Sequence, residues 1–128
     1  MRLSSGNIQV IPSQAKPGYW WMLVECCSEI ARYHRYLCLK FTCHYAAMMP
    51  PAWGSHITVV RKEPVEEEKI LPYHGKEMIF GYAHQLVTNE KHLWLPVECE
   101  ELLHIRQALG LDVQPLVPLH LTVAVMPG

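Results

Sequence analysis

Two stretches of the chain repeat one pattern: Ser55-His56-Ile57-Thr58-Val59-Val60 and Leu119-His120-Leu121-Thr122-Val123-Ala124. Each sets a His-x-Thr among β-branched and aliphatic residues, a composition that reads as a strand. Residues i and i+2 of a strand point to the same face. His56 therefore shares a face with Thr58, and His120 with Thr122, while Ile57 and Leu121 turn the other way into apolar packing. Two polar pairs of equal spacing, far apart in the chain, predict one site assembled from two halves.

The bulk properties bound what such a site can serve. The chain has 128 residues, half of them hydrophobic, which suits a single domain, 1–128, with a real core. A net charge of −1 argues against a broad basic face for long nucleic acid and leaves room for a small anionic ligand in a local pocket. The five cysteines, Cys26, Cys27, Cys38, Cys43 and Cys99, form no C-x-x-C pair, and an odd count does not fit a disulfide framework. With no leader recognisable, the expectation is a reducing cytoplasm. No apolar run is long enough to span a bilayer, so no membrane partner is expected.

Read in order, residues 1–18 carry Ser, Gly, Pro and Gln and suggest a loop or loose arm, with Ile8 to Ile11 able to add a short edge strand. Tyr19 to Cys26 is a strong strand. Ser28 and Glu29 open a helix whose apolar positions Ile30, Tyr33, His34, Leu37 and Phe41 carry it to about Cys43. Pro50, Pro51, Trp53 and Gly54 lead into the first motif strand, Ser55 to Lys62. Glu63 to Lys69 reads as a solvated acidic loop and Pro72 to Gly75 as a turn. Glu77 to Tyr82, Gln85 to Thr88 and His92 to Val97 read as strands, the last two flanking a turn at Asn89-Glu90-Lys91. Pro96 implies that the third of these ends there or lies at an edge. Cys99 to Leu109 is a second helix, terminated by Gly110, and Leu119 to Val125 is the second motif strand. Strand, helix, proline-rich loop and motif strand thus occur twice. That repetition predicts an α+β, bilobal architecture. Its two lobes, roughly 19–62 and 76–125, would each be an antiparallel sheet backed by a helix, related by a pseudo-twofold axis with a catalytic cleft between them.

The residue types suit transesterification at phosphorus, which needs a base for the attacking hydroxyl and an acid for the leaving oxygen. Histidine serves both roles near neutral pH. A threonine about 7 Å along the strand can donate to a non-bridging phosphate oxygen. A metal centre is the competing use of histidine, but no H-x-x-x-H, H-E-x-x-H or Cys/His zinc spacing occurs, so neither metal nor cofactor is expected. His34, His44, His74, His84, His92 and His104 read as surface or capping residues. Arg32, Arg35 and Arg61 can assist with phosphate charge, though a solvated face accounts for them equally well. Among the aromatics, Tyr19 and Trp94 are candidates for nucleobase contact, and Trp53 reads as structural.

The paired motifs resemble the two-histidine (2H) phosphoesterase superfamily, and within it the phage anti-CBASS nucleases. The likeness rests on Glu29 to Leu37, on Pro51-Ala52-Trp53-Gly54-Ser55-His56-Ile57-Thr58-Val59, and on Leu103 to Leu111 ahead of Leu119-His120-Leu121-Thr122-Val123. It implies the bilobal α+β fold and metal-independent hydrolysis of 3′–5′ linkages in cyclic di- and oligonucleotide immune signals such as cGAMP. It places catalytic roles on His56, Thr58, His120 and Thr122, and places the protein in the cytoplasm of an infected bacterial host. Two other readings remain open. One is an RNA-ligase-like enzyme acting on 2′,3′-cyclic phosphate ends. The other is a non-catalytic sponge for cyclic nucleotides.

Overall fold

The computed structural model describes residues 1–41, 54–89 and 92–125. Tyr19–Cys26 and Glu77–Tyr82 are strands over the expected residues, β2 and β4. The helices fall where capping and periodicity put them. Helix α1 is Ser28–Phe41, with Glu29 in its first turn, and α3 is Glu100–Ala108. α3 closes through paired backbone bonds, from Leu111 N–H to the Arg106 carbonyl and from Gly110 N–H to the Gln107 carbonyl, both 3.0 Å. The motif strands are β3, His56–Pro64, and β7, His120–Val125. Between them β5 is Val87–Thr88 and β6 is His92–Glu98. The expected helix end near Cys43, Pro50, Pro51 and Trp53 lie outside the described residues.

Two local expectations fail. The acidic stretch expected to be a loop ends β3 and then forms a short helix, α2, Glu67–Ile70, which buries Ile70. Pro96 lies neither at an edge nor at an end. It sits inside β6, opposite His120 on β7, between the residues paired with β5 and those paired with β4.

The bilobal architecture is corrected outright. One antiparallel sheet runs β4-β1-β2-β3-β7-β6 and closes on itself through Gly81↔Glu98 and Tyr82↔Val97, a six-stranded barrel with β5 as an extra strand on β6. Among the described residues the strands of 19–62 and 76–125 belong to one sheet rather than to two lobes with a cleft between them. The cause is β1, Arg2–Pro12, expected to be a loop or loose arm with at most a short edge strand at Ile8 to Ile11. Its Ser4-Ser5-Gly6-Asn7 run has turn-type composition. Yet that run pairs with β4 (Arg2↔Tyr82 to Asn7↔Glu77), and Gly6 to Pro12 pairs with β2. Ladders on both sides override the weak strand preference of these residues. With β1 between β2 and β4, and β3 against β7, the two halves of the chain share a single ring.

The ring encloses one core in which Ile8, Met22, Val24, Ile57, Leu95, Leu121 and Val123 meet the apolar stripe of α3, Leu102, Ile105 and Leu109. Gly6 stands where β1 turns from one partner to the other, facing Cys26 and Met78. A methyl group there would come within 2.7 Å of Val24 Cγ1 and closer still to the Glu25 carbonyl oxygen. Only glycine permits this approach. Gly6→Ala should therefore lower unfolding free energy by about 1–3 kcal/mol in urea titration, while the exposed Ser5→Ala stays near wild type. An unchanged midpoint for Gly6→Ala would contradict the closure described.

Candidate active site

The two motifs meet through a single cross-strand pair, Ile57↔Leu121. Both of these residues point into the core and are fully buried. Extending that antiparallel register sets His56 opposite Thr122 and Thr58 opposite His120. The four polar side chains then form a square on the outer face, with the histidines on a diagonal. Diagonal neighbours across antiparallel strands stand about 7–8 Å apart, which is the scale of a phosphate held between two rings. All four line one pocket of about 560 Å³ on the outer face of β3, β7 and β6.

Each histidine is oriented in the same way. His56 Nδ1 lies 3.0 Å from the Gly54 carbonyl oxygen, and His120 Nδ1 lies 2.8 Å from that of Pro118. A carbonyl only accepts, so Nδ1 is the protonated nitrogen in both rings and Nε2 is the atom that gains and loses a proton. Ahead of His56, Gly54 is in the left-handed region at φ 72°, which favours glycine.

Both motif strands then carry one extra residue. On β3, Leu23 faces Thr58 and Met22 faces Val60, which leaves Val59 without a partner. On β7, Trp94 faces Thr122 and Leu93 faces Ala124, which leaves Val123 without one. These are β-bulges, and they explain why two consecutive residues are buried after each threonine: Val59 and Val60, Val123 and Ala124. The bulge shifts the alternation by one. On β3 this turns Arg61 to the same face as His56 and Thr58, and Arg61 lines the pocket. A second irregularity follows, with Lys62 at φ 50°, a backbone conformation that side chains rarely adopt.

Trp94 and Tyr19 separate. Trp94 lines the pocket, its ring set edge-on to His120 with centroids 6.3 Å apart. Tyr19 does not reach it. It pairs with Pro64, eight residues along β3 from His56, roughly 25 Å at a strand's rise, and Lys16 Nζ sits 4.1 Å from its ring centroid. The pocket also takes in His92, read as a surface or capping residue, Asn89, read as part of a turn, and Pro96 and Val117, to which sequence reasoning gave no site role. His92 has a readable signal after the fact, since it shares the outward phase of Trp94 and Pro96 on β6. Arg61, named in the sequence among three arginines that can assist with phosphate charge, reaches the pocket through a bulge that a count of two does not reveal.

Among the described lining residues are three imidazoles and a guanidinium but no carboxylate. The field therefore suits an anion. His120 is held below the ordinary imidazole range, first by burial and then by Arg61, His56 and His92, with its Pro118 bond opposing. Neutral His120 is thus favoured near pH 7. Burial also raises the thiols, Cys26 to about 12 and Cys99 in the same direction, so neither is a ready thiolate. Among the described residues no group of three His, Cys, Asp or Glu side chains is arranged to hold a metal ion, and no helix is long and apolar enough to cross a membrane. No family model, curated protein or solved structure matches the chain.

In an NMR titration His120 should lose its proton below about pH 6.5, the ordinary imidazole value. Arg61→Met, by removing a positive neighbour, should raise that midpoint. Because folding favours the neutral ring, stability tied to His120 should be complete above about pH 6.5 and decline as pH falls below it. A midpoint at or above the ordinary value, or one that falls in Arg61→Met, would contradict the electrostatic account.

Proposed function

We propose that the chain is a phosphodiesterase that opens cyclic di- or oligonucleotides at a 3′–5′ linkage, with His120 as base and His56 as acid in the first step. The observation that carries this reading is the pair of motif histidines on one pocket, each with Nδ1 turned to a backbone carbonyl two residues earlier. The resemblance of Trp53-Gly54-Ser55-His56-Ile57-Thr58 and its counterpart to the two-histidine phosphoesterases supports it. So does a pocket that holds Arg61 and, among its described lining residues, no carboxylate. The substrate class further implies a role in evading bacterial nucleotide-signalled immunity in an infected cell.

In the proposed step, His120 Nε2 accepts the proton of the ribose 2′-hydroxyl. The 2′-oxygen attacks the adjacent phosphorus, the bond from phosphorus to the 5′-oxygen breaks, and His56 Nε2–H protonates the departing oxygen. The product carries a 2′,3′-cyclic phosphate and a 5′-hydroxyl. Water can then open that cyclic phosphate with the histidine roles exchanged. Attack from within the substrate lowers the entropic barrier. The register places Thr58 beside His120 and Thr122 beside His56, so both hydroxyls can donate to non-bridging oxygens as charge grows there. Trp94, at the pocket wall, offers a nucleobase a stacking face.

The test is turnover of a cyclic dinucleotide panel, including one member with 2′-deoxyriboses. Wild type should convert a 3′–5′-linked ribonucleotide member and keep that activity in EDTA. His56→Ala and His120→Ala should each lose about 10²–10⁴-fold, and Thr58→Ala and Thr122→Ala less. The 2′-deoxy member should bind and persist. Binding without conversion of any member would make the protein a sponge, and efficient cleavage of the 2′-deoxy member would overturn the mechanism.

A further inference from the structure

The two bulges raise a question of hydrogen bonding. The extra residue of a bulge falls out of the ladder, and a buried carbonyl there must find another donor. Val59 and Val123 are those residues, and both are buried. Each is served by an arginine from a helix. Arg106 Nη1 on α3 donates to the Val59 carbonyl at 2.8 Å, and Arg35 Nη1 on α1 donates to the Val123 carbonyl at 2.7 Å. The arrangement is crossed. The helix preceding β3 holds the bulge of β7, and the helix preceding β7 holds the bulge of β3. Each carbonyl belongs to the third residue after a motif histidine.

We propose that Arg35 and Arg106 are paired positioning residues, each fixing the orientation of the His-x-Thr motif on the strand whose bulge it holds. Arg35 governs His120 and Thr122, and Arg106 governs His56 and Thr58. The physical reason is phase. A strand that absorbs its extra residue by slipping one place turns every side chain to the other face. For these strands that would carry the motif away from the pocket. An arginine on the bulge carbonyl stabilises the one arrangement in which histidine and threonine face outward together.

The two arginines are not equally equipped. Arg35 is half-buried, and Val123 is the acceptor that its guanidinium meets. Arg106 is 2% exposed and serves three groups: the Val59 carbonyl, the Asp112 carbonyl at 2.8 Å through Nε, and the Glu63 carboxylate at 2.7 and 3.1 Å. A lysine can replace one donated bond but not this planar three-way arrangement. Arg35→Lys should therefore preserve positioning where Arg35→Ala does not, and Arg106→Lys should fail to preserve it.

The inference rests on the proposed function for its kinetic consequence only, so the experiment has two arms. The first is ring ¹⁵N NMR of the full chain, which reads which nitrogen carries the proton in each neutral histidine. In Arg35→Ala, His120 should lose its Nδ1–H form while His56 keeps its own, and Arg35→Lys should restore His120. Arg106→Lys should show the converse. The control, Arg32→Ala, changes an exposed residue of the same helix that pairs with Glu29 and should move neither ring. The second arm is turnover of the cyclic dinucleotide that wild type converts. Arg35→Ala should lose on the order of 10- to 100-fold in kcat with KM little changed, since misplacement rather than lost binding is at issue. If Arg106→Lys does not fold, the Arg35 series still decides the matter. Equal changes at both histidines in Arg35→Ala, or none at either, would overturn the positioning role. Absence of turnover by wild type would instead overturn the proposed function and leave the first arm to judge the arginines.

Discussion

The extra residue in each motif strand is the constraint on which the site depends. Regular alternation would have continued the outward face of β3 through Val60 and put Arg61 toward the core. With Val59 out of the ladder, Val59 and Val60 are both buried and Arg61 joins His56 and Thr58 at the pocket. The same device on β7 buries Val123 and Ala124 together. It sends the strand onward with Val125 facing His92. β3 and β7 pair at Ile57 and Leu121, and the square of polar groups gathers about that pair.

The correspondence between the motif strands ends where their neighbours begin. Position 61 is arginine on β3, while the equivalent position on β7 is Val125. Arg61 lines the pocket and is one of the charges that hold His120 below the ordinary imidazole range. The two motif strands therefore differ in the charge they bring to the pocket. An acid and a base built from the same residue type must differ in this way to hold different protonation states at one pH. The Glu63–Arg106 ion pair adds another asymmetry. Glu63 is on β3 itself, so the buried arginine that holds the Val59 carbonyl is neutralised by the strand it supports. A buried guanidinium without that carboxylate would be strongly disfavoured.

Much of this site was legible in the sequence, and less of the fold. The His-x-Thr pairs announce themselves because strand alternation, residue type and repetition coincide in a few residues. β2, β4 and α3 are legible for similar reasons, with uninterrupted patterns between clear stops. β1 is not, because Ser4, Ser5, Gly6 and Asn7 favour turns locally and become a strand only between β2 and β4. Missing that strand turned one closed barrel into two expected lobes. Tyr19 and Trp94 stood as equal candidates for nucleobase contact, yet register separates them, since only Trp94 lies opposite Thr122. Arg35 and Arg106 stood inside stretches that caught attention, but their acceptors are 88 and 47 residues away, a relation that no local pattern carries.

The central claim is that two imidazoles flank one phosphate and that the nucleophile is the substrate's own 2′-oxygen. Single-turnover reaction in ¹⁸O-labelled water, with the first product trapped and resolved by mass, tests it most directly. The account predicts a first product with a 2′,3′-cyclic phosphate and no label, the label entering only when that ring opens. Labelled oxygen in the first-formed product, with no cyclic phosphate before it, would contradict the account.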